Sequence, residues 1–349
     1  MSVVLITGVS RFLGSRLAAQ LAADPGIERV IGIDTVLPRT IDLPQLGRME
    51  FVRADIRNPL IAKVMAQARV TTVVHTALMA SGRTGGGRAS MQEMNVIGTM
   101  QLLAASQKSE TVERVVVKST TAVYGCGPAD PAVFTEDMHP HAGAQAGYAK
   151  DAVEVEGYVR GFARRRPDLA ITVLRLANVL GPTVDTALAR YLAMPVIPSA
   201  LGFDPRLQVL HEADAVEALR LATVAPHPGI FNVAGEGAVT LSQIVRRARR
   251  LRIPVPAPAL SLAGTLVRNS GLLDVTAEES RFLNFGRVVD TTRLREEFGY
   301  SPRLSTSDTV SELLAGGRPL PKLALAGIGV GSRVLQARRD RHRLAVSGA

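Results

Sequence analysis

Apolar residues along this chain fall into two alternating kinds of run. Short, nearly uncharged runs rich in β-branched residues, beginning with Val3-Val4-Leu5-Ile6, predict strands buried on both faces. Between them lie stretches with apolar residues at helical spacing, beginning with residues 15–23. The pattern predicts strands over 29–34, 49–54, 70–77, 113–118 and 170–176, and helices over 91–107 and 145–166, with a helix start at 55–59. Strands alternating with helices call for an α/β fold with a doubly wound parallel sheet and right-handed crossovers. After Gly181-Pro182 the alternation weakens. Pro195, Pro198 and a loop at 201–206 interrupt it. A helix over 212–223, a strand over 229–234, a basic amphipathic helix over 240–252 and an extended Pro-rich stretch over 254–260 follow. The five arginines of 240–252 read as a solvated face. The chain thus divides into a main domain, 1–178, a smaller part, 179–315, that exchanges elements with it, and a tail, 316–349.

The first run leads into Thr7-Gly8-Val9-Ser10-Arg11-Phe12-Leu13-Gly14 and then a helix. Strand, tight turn and helix in that order aim backbone N–H groups and a helix dipole at a phosphate. Gly8 suits the turn and the approach of a pyrophosphate, and Gly14 lets the helix lie close to the strand. The spacing resembles the Thr-Gly-x-x-Gly-x-x-Gly signature of the short-chain dehydrogenase/reductases, with Arg11 in place of the middle glycine. Arg11 is either a solvent-facing substitution or a guanidinium that reaches a cofactor phosphate. The second strand ends at Asp34, where a carboxylate accepts from ribose hydroxyls and repels a 2′-phosphate. This favours NAD over NADP, with Arg39 the feature that keeps NADP open.

Composition narrows the picture. The single cysteine, Cys126, excludes an internal disulfide and fits a reducing, cytoplasmic setting. The first strand leaves no room for a signal peptide, and no apolar run is long enough to span a bilayer. Of the net charge of +10, six units sit in residues 318–349. No aromatic-interleaved basic patch appears, so nucleic acid is not expected. The tail is apolar but Gly-broken over 320–330 and basic over 334–344. Its default is a loosely packed segment, with contact to a membrane surface or a partner as the alternative. No metal-ligand cluster is expected.

Five further matches make the chain resemble the extended short-chain dehydrogenase/reductases, the NAD-dependent epimerase/dehydratase family typified by UDP-glucose 4-epimerase, over residues 1–315. They are Asp55-Ile56, His75-Thr76-Ala77, Asn95-Val96-Ile97-Gly98-Thr99, Ser119-Thr120-Thr121-Ala122-Val123-Tyr124-Gly125, and residues 174–182. The resemblance implies a Rossmann sheet with a smaller substrate-binding part. It also implies NAD contacts from Gly8, Ser10, Arg11, Phe12, Leu13, Gly14, Asp34, Asp55, Ile56, Thr76, Ala77, Asn95, Ser119 and Tyr148. His75 reads as a buried, hydrogen-bonded side chain, and residues 81–90 as a mobile loop or lid.

The family's chemistry is hydride transfer at a sugar or alcohol carbon. A Tyr moves the proton, a Lys four residues later tunes it, and a Ser/Thr holds the reacting oxygen. By resemblance Tyr148 and Thr120 take the first and last of these roles, but Ala152 occupies the lysine position. Lys150 points away, because residues two apart on a helix face opposite sides. A phenol with no cation beside it titrates near about 10 and transfers protons poorly at neutral pH. Lys118 shares a strand face with Thr120 and either reaches Tyr148 or pairs with Glu156 or Asp151.

On the substrate side, Thr120 is expected at the reacting oxygen, while Asn178, Arg206 and Arg287 resemble residues that hold a nucleotide diphosphate in the family, and paired arginines suit a pyrophosphate. Asp214 reads as a helix N-cap. The leading expectation is a cytoplasmic NAD-dependent oxidoreductase acting on a small molecule, a nucleotide sugar, with a homodimer as its candidate assembly. The alternatives are a non-catalytic dinucleotide-binding sensor or interaction protein, and a hydroxysteroid or lipid-alcohol dehydrogenase of the same fold.

Overall fold

The computed structural model describes residues 2–38, 46–78, 87–139, 147–256 and 277–316. The first half runs β1 (Ser2–Thr7), α1 (Phe12–Ala23), β2 (Ile27–Asp34), β3 (Glu50–Arg53), α2 (Leu60–Gln67), β4 (Thr72–His75), α3 (Gly87–Lys108), β5 (Arg114–Thr120), α4 (Tyr148–Arg165) and β6 (Ala170–Leu176). The second half runs β7 (Asn178–Leu180), α5 (Ala187–Leu192), β8 (Val196–Ala200), β9 (Arg206–Leu207), β10 (Val209–His211), α6 (Glu212–Val224), β11 (Gly229–Val233), β12 (Val239–Thr240), α7 (Leu241–Arg247) and β13 (Leu251–Val255). It closes with α8 (Ala277–Phe285), β14 (Gly286–Arg287), α9 (Thr292–Glu296) and α10 (Thr306–Ala315).

Seven parallel strands in the order β11-β6-β5-β4-β1-β2-β3 form the central sheet. The centres of the middle strands are apolar on both faces, with Val4, Leu5, Ile6, Val115, Val116 and Val117 at 0% exposure, as a sheet covered by helices on both sides requires. The strand order reverses between β1 and β4, so the carboxyl ends open a crevice there. A second apolar cluster, separate from that of the sheet, includes Cys126, Leu180, Tyr191, Ile197, Leu207, Ile244 and Val310. β11, from beyond residue 179, joins the central sheet beside β6.

Several expectations change. The basic helix stops at Arg247, not 252, and Arg249 adopts φ +51°. Residues 251–255 form a strand paired in parallel with β8. Pro254 cannot continue a helix, and Leu251, Ile253 and Val255 alternate as a strand does. Residues 87–90, expected in a loop, form the first turn of α3, while 79–86 lie outside the described residues. The start of the helix expected at 145 also lies outside them, as do Arg39, residues 257–276 and the tail from 317. Asp214 is not a helix cap. His211 caps α6, and Asp214 accepts instead from the Tyr300 hydroxyl at 2.9 Å and from the backbone N–H groups of Arg303 and Leu304.

A buried ion pair joins three elements behind the crevice. Arg175 of β6 meets Glu156 of α4 at 2.7 Å, and both side chains are 1% exposed. Glu156 also accepts from the Ser119 hydroxyl of β5 at 2.6 Å. Arg175 donates to the Tyr124 hydroxyl, which donates to Asn232 of β11. Removing one partner strands a buried charge. Glu156→Ala is therefore expected to lower unfolding stability by about 3–5 kcal/mol, read from denaturant midpoints. A loss within about 0.5 kcal/mol, the size of an ordinary surface change, would contradict it.

Candidate active site

The crevice begins at the β1–α1 turn. Gly8 has φ +80°, and a Cβ there would come within 2.9 Å of the Ala77 Cα. A Cβ on Gly14 would collide with the Gly8 carbonyl, so both glycines are needed for this close approach. Arg11, the N-cap residue of α1, makes no side-chain cap, and the first turn carries no acid. That leaves the positive end of the helix for an anion. Asp34, 8% exposed, closes the other side and accepts from the Ser10 N–H at 3.1 Å and the Thr35 N–H at 2.8 Å. Gly8, Arg11, Ile33, Asp34, Thr35, Ala54, Ile56, Ala77 and Met94 line one cleft. Bare backbone, a ribose-accepting carboxylate and apolar walls fit a dinucleotide.

Arg11 does not face solvent. It lies half-buried in this cleft, where burial lowers its pKa and the charge of Asp34 opposes the shift. Ser10 donates to the Val36 carbonyl, and Arg16 lies over the Phe12 ring. Phe12 and Leu13 are half-buried in the turn. Thr76 is buried and donates to the Thr7 carbonyl at 2.6 Å, which leaves Ala77 at the cleft. His75 is buried between Thr7 and Thr99, at 2.7 and 2.9 Å. Burial first, and then Lys118, push its pKa down to about 4, so it stays neutral.

Three residues expected at the cofactor turn elsewhere. Ser119 is fully buried on Glu156. Asn95 is 1% exposed and donates to Asp151 at 2.9 Å. Asp55 is held by Arg57 at 2.7 Å, leaving Ile56 of that pair at the cleft. Ser119 and Asn95 are taken by partners far along the chain, and Asp55 by the arginine two residues on.

At the sheet's carboxyl edge Lys118 Nζ lies 3.4 Å from the Tyr148 hydroxyl and donates to the Leu78 carbonyl at 3.0 Å. The two acids that were its rival partners are engaged elsewhere, Glu156 with Arg175 and Asp151 with Arg88. Burial, with the positive charge of Arg11 adding, lowers the Lys118 pKa to about 8. Lys150 is exposed, and Ala152 is packed in the core. Thr120, half-buried, accepts from the Ala122 N–H at 3.1 Å and caps the 3-10 turn that follows β5. Arg88, which pattern reasoning passed over, reaches Tyr148's own turn. Its only trace in the sequence is a basic residue directly after a glycine run.

Beyond this edge a second cavity of about 260 Å³ is lined by Cys126, Asp130, Phe134, Arg206, Phe285 and Arg287, among others. Arg287, 6% exposed, donates to the Gly125 carbonyl at 2.8 Å, and Arg206 to the Ala132 carbonyl at 2.8 Å. The two arginines that were expected on the substrate side thus meet in one cavity. Asn178 lies on β7, half-buried, and does not line it.

Sheet order, glycine turn and carboxylate together define a dinucleotide-binding α/β protein. The model of the NAD dependent epimerase/dehydratase family matches residues 4–234. The chain belongs to this family, and its cofactor is NAD. An uncharacterised protein of Mycobacterium tuberculosis is 48% identical over 314 residues, 90% of this chain and 84% of that one. A UDP-glucose 4-epimerase of Mycolicibacterium smegmatis is 29% identical over 186 residues, 52% of this chain and 57% of that one. The solved UDP-glucose-4-epimerase of Stenotrophomonas maltophila, with bound NAD and formylated UDP-arabinopyranose, shares the fold at TM-score 0.70 and 19% identity, covering 91% of this chain and 98% of that one.

Two binding outcomes follow. Calorimetry is expected to show tighter binding of NAD than of NADP, because Asp34 repels a 2′-phosphate; equal or tighter NADP binding contradicts this. Arg11→Gly is expected to weaken NAD about tenfold or more, or roughly 1.4 kcal/mol, and to flatten the salt dependence of binding. Unchanged affinity returns Arg11 to a passive substitution.

Proposed function

We propose that the protein is an NAD-dependent oxidoreductase of the epimerase/dehydratase type acting on a nucleotide sugar, with Tyr148 as its acid–base residue and Lys118 in place of the family's helical lysine. The 3.4 Å approach of the Lys118 ammonium to the Tyr148 hydroxyl carries this reading. A bound NAD would supply a reversible hydride acceptor for a carbinol carbon of the substrate. Gly8, Gly14 and Arg11 would hold its pyrophosphate and Asp34 its adenosine ribose. Tyr148 takes the proton of the substrate hydroxyl at its phenolic oxygen and gives it back. The Lys118 ammonium stabilises the phenolate and so brings proton transfer closer to neutral pH. Thr120 offers a hydroxyl to the reacting oxygen. The cavity holding Arg206 and Arg287 suits a diphosphate, and the names of the epimerases among the relatives support a sugar nucleotide. With a division at 178, this cavity draws Cys126, Asp130 and Phe134 from the first part and Arg206, Phe285 and Arg287 from the second.

A binding-only role draws on one observation, Ala152. Native mass spectrometry of the purified protein, followed by incubation with a panel of nucleotide sugars, decides between them. Retained NAD with conversion of a sugar supports the enzyme, and retained NAD with no turnover supports the binding module. Within the enzyme reading, Lys118→Met is expected to reduce turnover by roughly 100-fold or more, as Tyr148→Phe does, and Lys150→Met to change it little. Ala152→Lys is expected to restore part of the loss in Lys118→Met.

The pH dependence carries a definite sign. The Lys118 ammonium is present below about pH 8 and lost above it. Turnover is expected to fall as pH rises through that value, and Lys118→Arg, which keeps its charge, is expected to remove this alkaline limb. An unchanged limb in Lys118→Arg assigns it to another group.

A further inference from the structure

The first turn of α4 is held from outside by a residue of α3. Arg88 Nη1 donates to Asp151 Oδ2 at 2.6 Å, and Nη2 bonds the other carboxylate oxygen and the Gly147 carbonyl, the latter at 2.6 Å. Gly147, with φ +79°, is the residue before Tyr148, and Asp151 lies three after it. One guanidinium therefore grips both sides of the tyrosine. Asp151 has no exposed side-chain surface, and its second polar partner is Asn95 Nδ2 at 2.9 Å, also from α3. A buried carboxylate needs such partners. The middle of α4 is fixed separately, by Glu156 on Arg175. The first turn lacks the lysine that would tie it to the crevice, since Ala152 stands there.

From this geometry we infer that Arg88 is a positioning residue for Tyr148, setting the rotation and entry of the first turn of α4 so that the phenol meets Lys118. The inference rests on the reading of Tyr148 as the acid–base residue. Gly147 has no side chain to steer its own backbone and makes no side-chain cap. Arg88 adds a restraint from α3 through the Gly147 carbonyl. It also cancels the Asp151 charge one turn from the phenol. Among the described residues, Lys118 from β5 lies against the Tyr148 hydroxyl, and Asp151 on α4 pairs with Arg88 from α3 beside the same turn.

The test is a phenolate titration by ultraviolet difference, each variant read against the same variant carrying Tyr148→Phe, alongside steady-state kinetics on the full chain. Arg88→Ala is expected to move the Tyr148 ionisation upward by about one pH unit, since a cation is removed and a carboxylate uncovered. The kcat is expected to fall about tenfold or more with KM for the sugar nucleotide little changed. Added guanidinium ion at sub-denaturing concentration should recover part of both, which loss of fold would not allow. Arg88→Lys should lie between, because an ammonium replaces the charge but not the fork. Should Arg88→Ala fold poorly, Arg88→Ala with Asp151→Asn removes the stranded charge and keeps the question open to measurement. That pair is expected to fold and still to turn over slowly. Wild-type kcat in the pair, or an unmoved Tyr148 ionisation in Arg88→Ala, overturns the inference. Full activity in Tyr148→Phe would instead overturn the reading of the tyrosine, while the ionisation shift in Arg88→Ala would still report the clamp.

Discussion

The pairing of Arg175 with Glu156 is the constraint on which the rest of the site depends. Two charges at 1% exposure are tolerable only when geometry and hydrogen bonding are complete, and here Ser119 and Tyr124 complete them. The pair fixes α4 against β5 and β6 at one register. Tyr148 stands eight residues before Glu156 on the same helix, so locking one limits where the other can lie. Lys118 is the neighbour of Ser119, so the same lock limits where the lysine emerges. A buried network far from solvent thus decides the meeting of two polar groups at the crevice.

The cation beside Tyr148 comes from the strand and not from its own helix, where Ala152 packs into the core. The first turn of α4 is held from α3 by Arg88, whose partners Gly147 and Asp151 flank Tyr148. The strand lysine has a cost of its own, because its ammonium is half-buried and lies under the influence of the Arg11 charge. Two cations along one crevice are favourable together only when an anion lies between or beside them, which suits a pyrophosphate-bearing cofactor.

The second cavity follows the same logic of long-range anchoring. Arg206 comes from β9 and Arg287 from β14, and each holds a carbonyl of the segment that follows Tyr124. Their guanidinium groups therefore shape the wall of the cavity as well as charging it.

The doubly wound sheet was legible from the sequence, because uncharged β-branched runs alternating with helical ones allow few other arrangements. So was the dinucleotide crevice, since Gly8, Gly14 and Asp34 act through local backbone geometry and spacing. The face shared by Lys118 and Thr120 follows from strand alternation alone. The strand at 251–255 was hidden because its partner, β8, lies some fifty residues earlier, and a run of arginines imitates a helix face. Ser119, Asn95 and Asp214 carry the right chemistry at the right places in the chain, yet their side chains go to Glu156, Asp151 and the segment 300–304. Only the tertiary structure decides this. A polar side chain bonds to whatever partner the packing of distant elements brings within about 3 Å, and spacing along the chain holds no record of that distance.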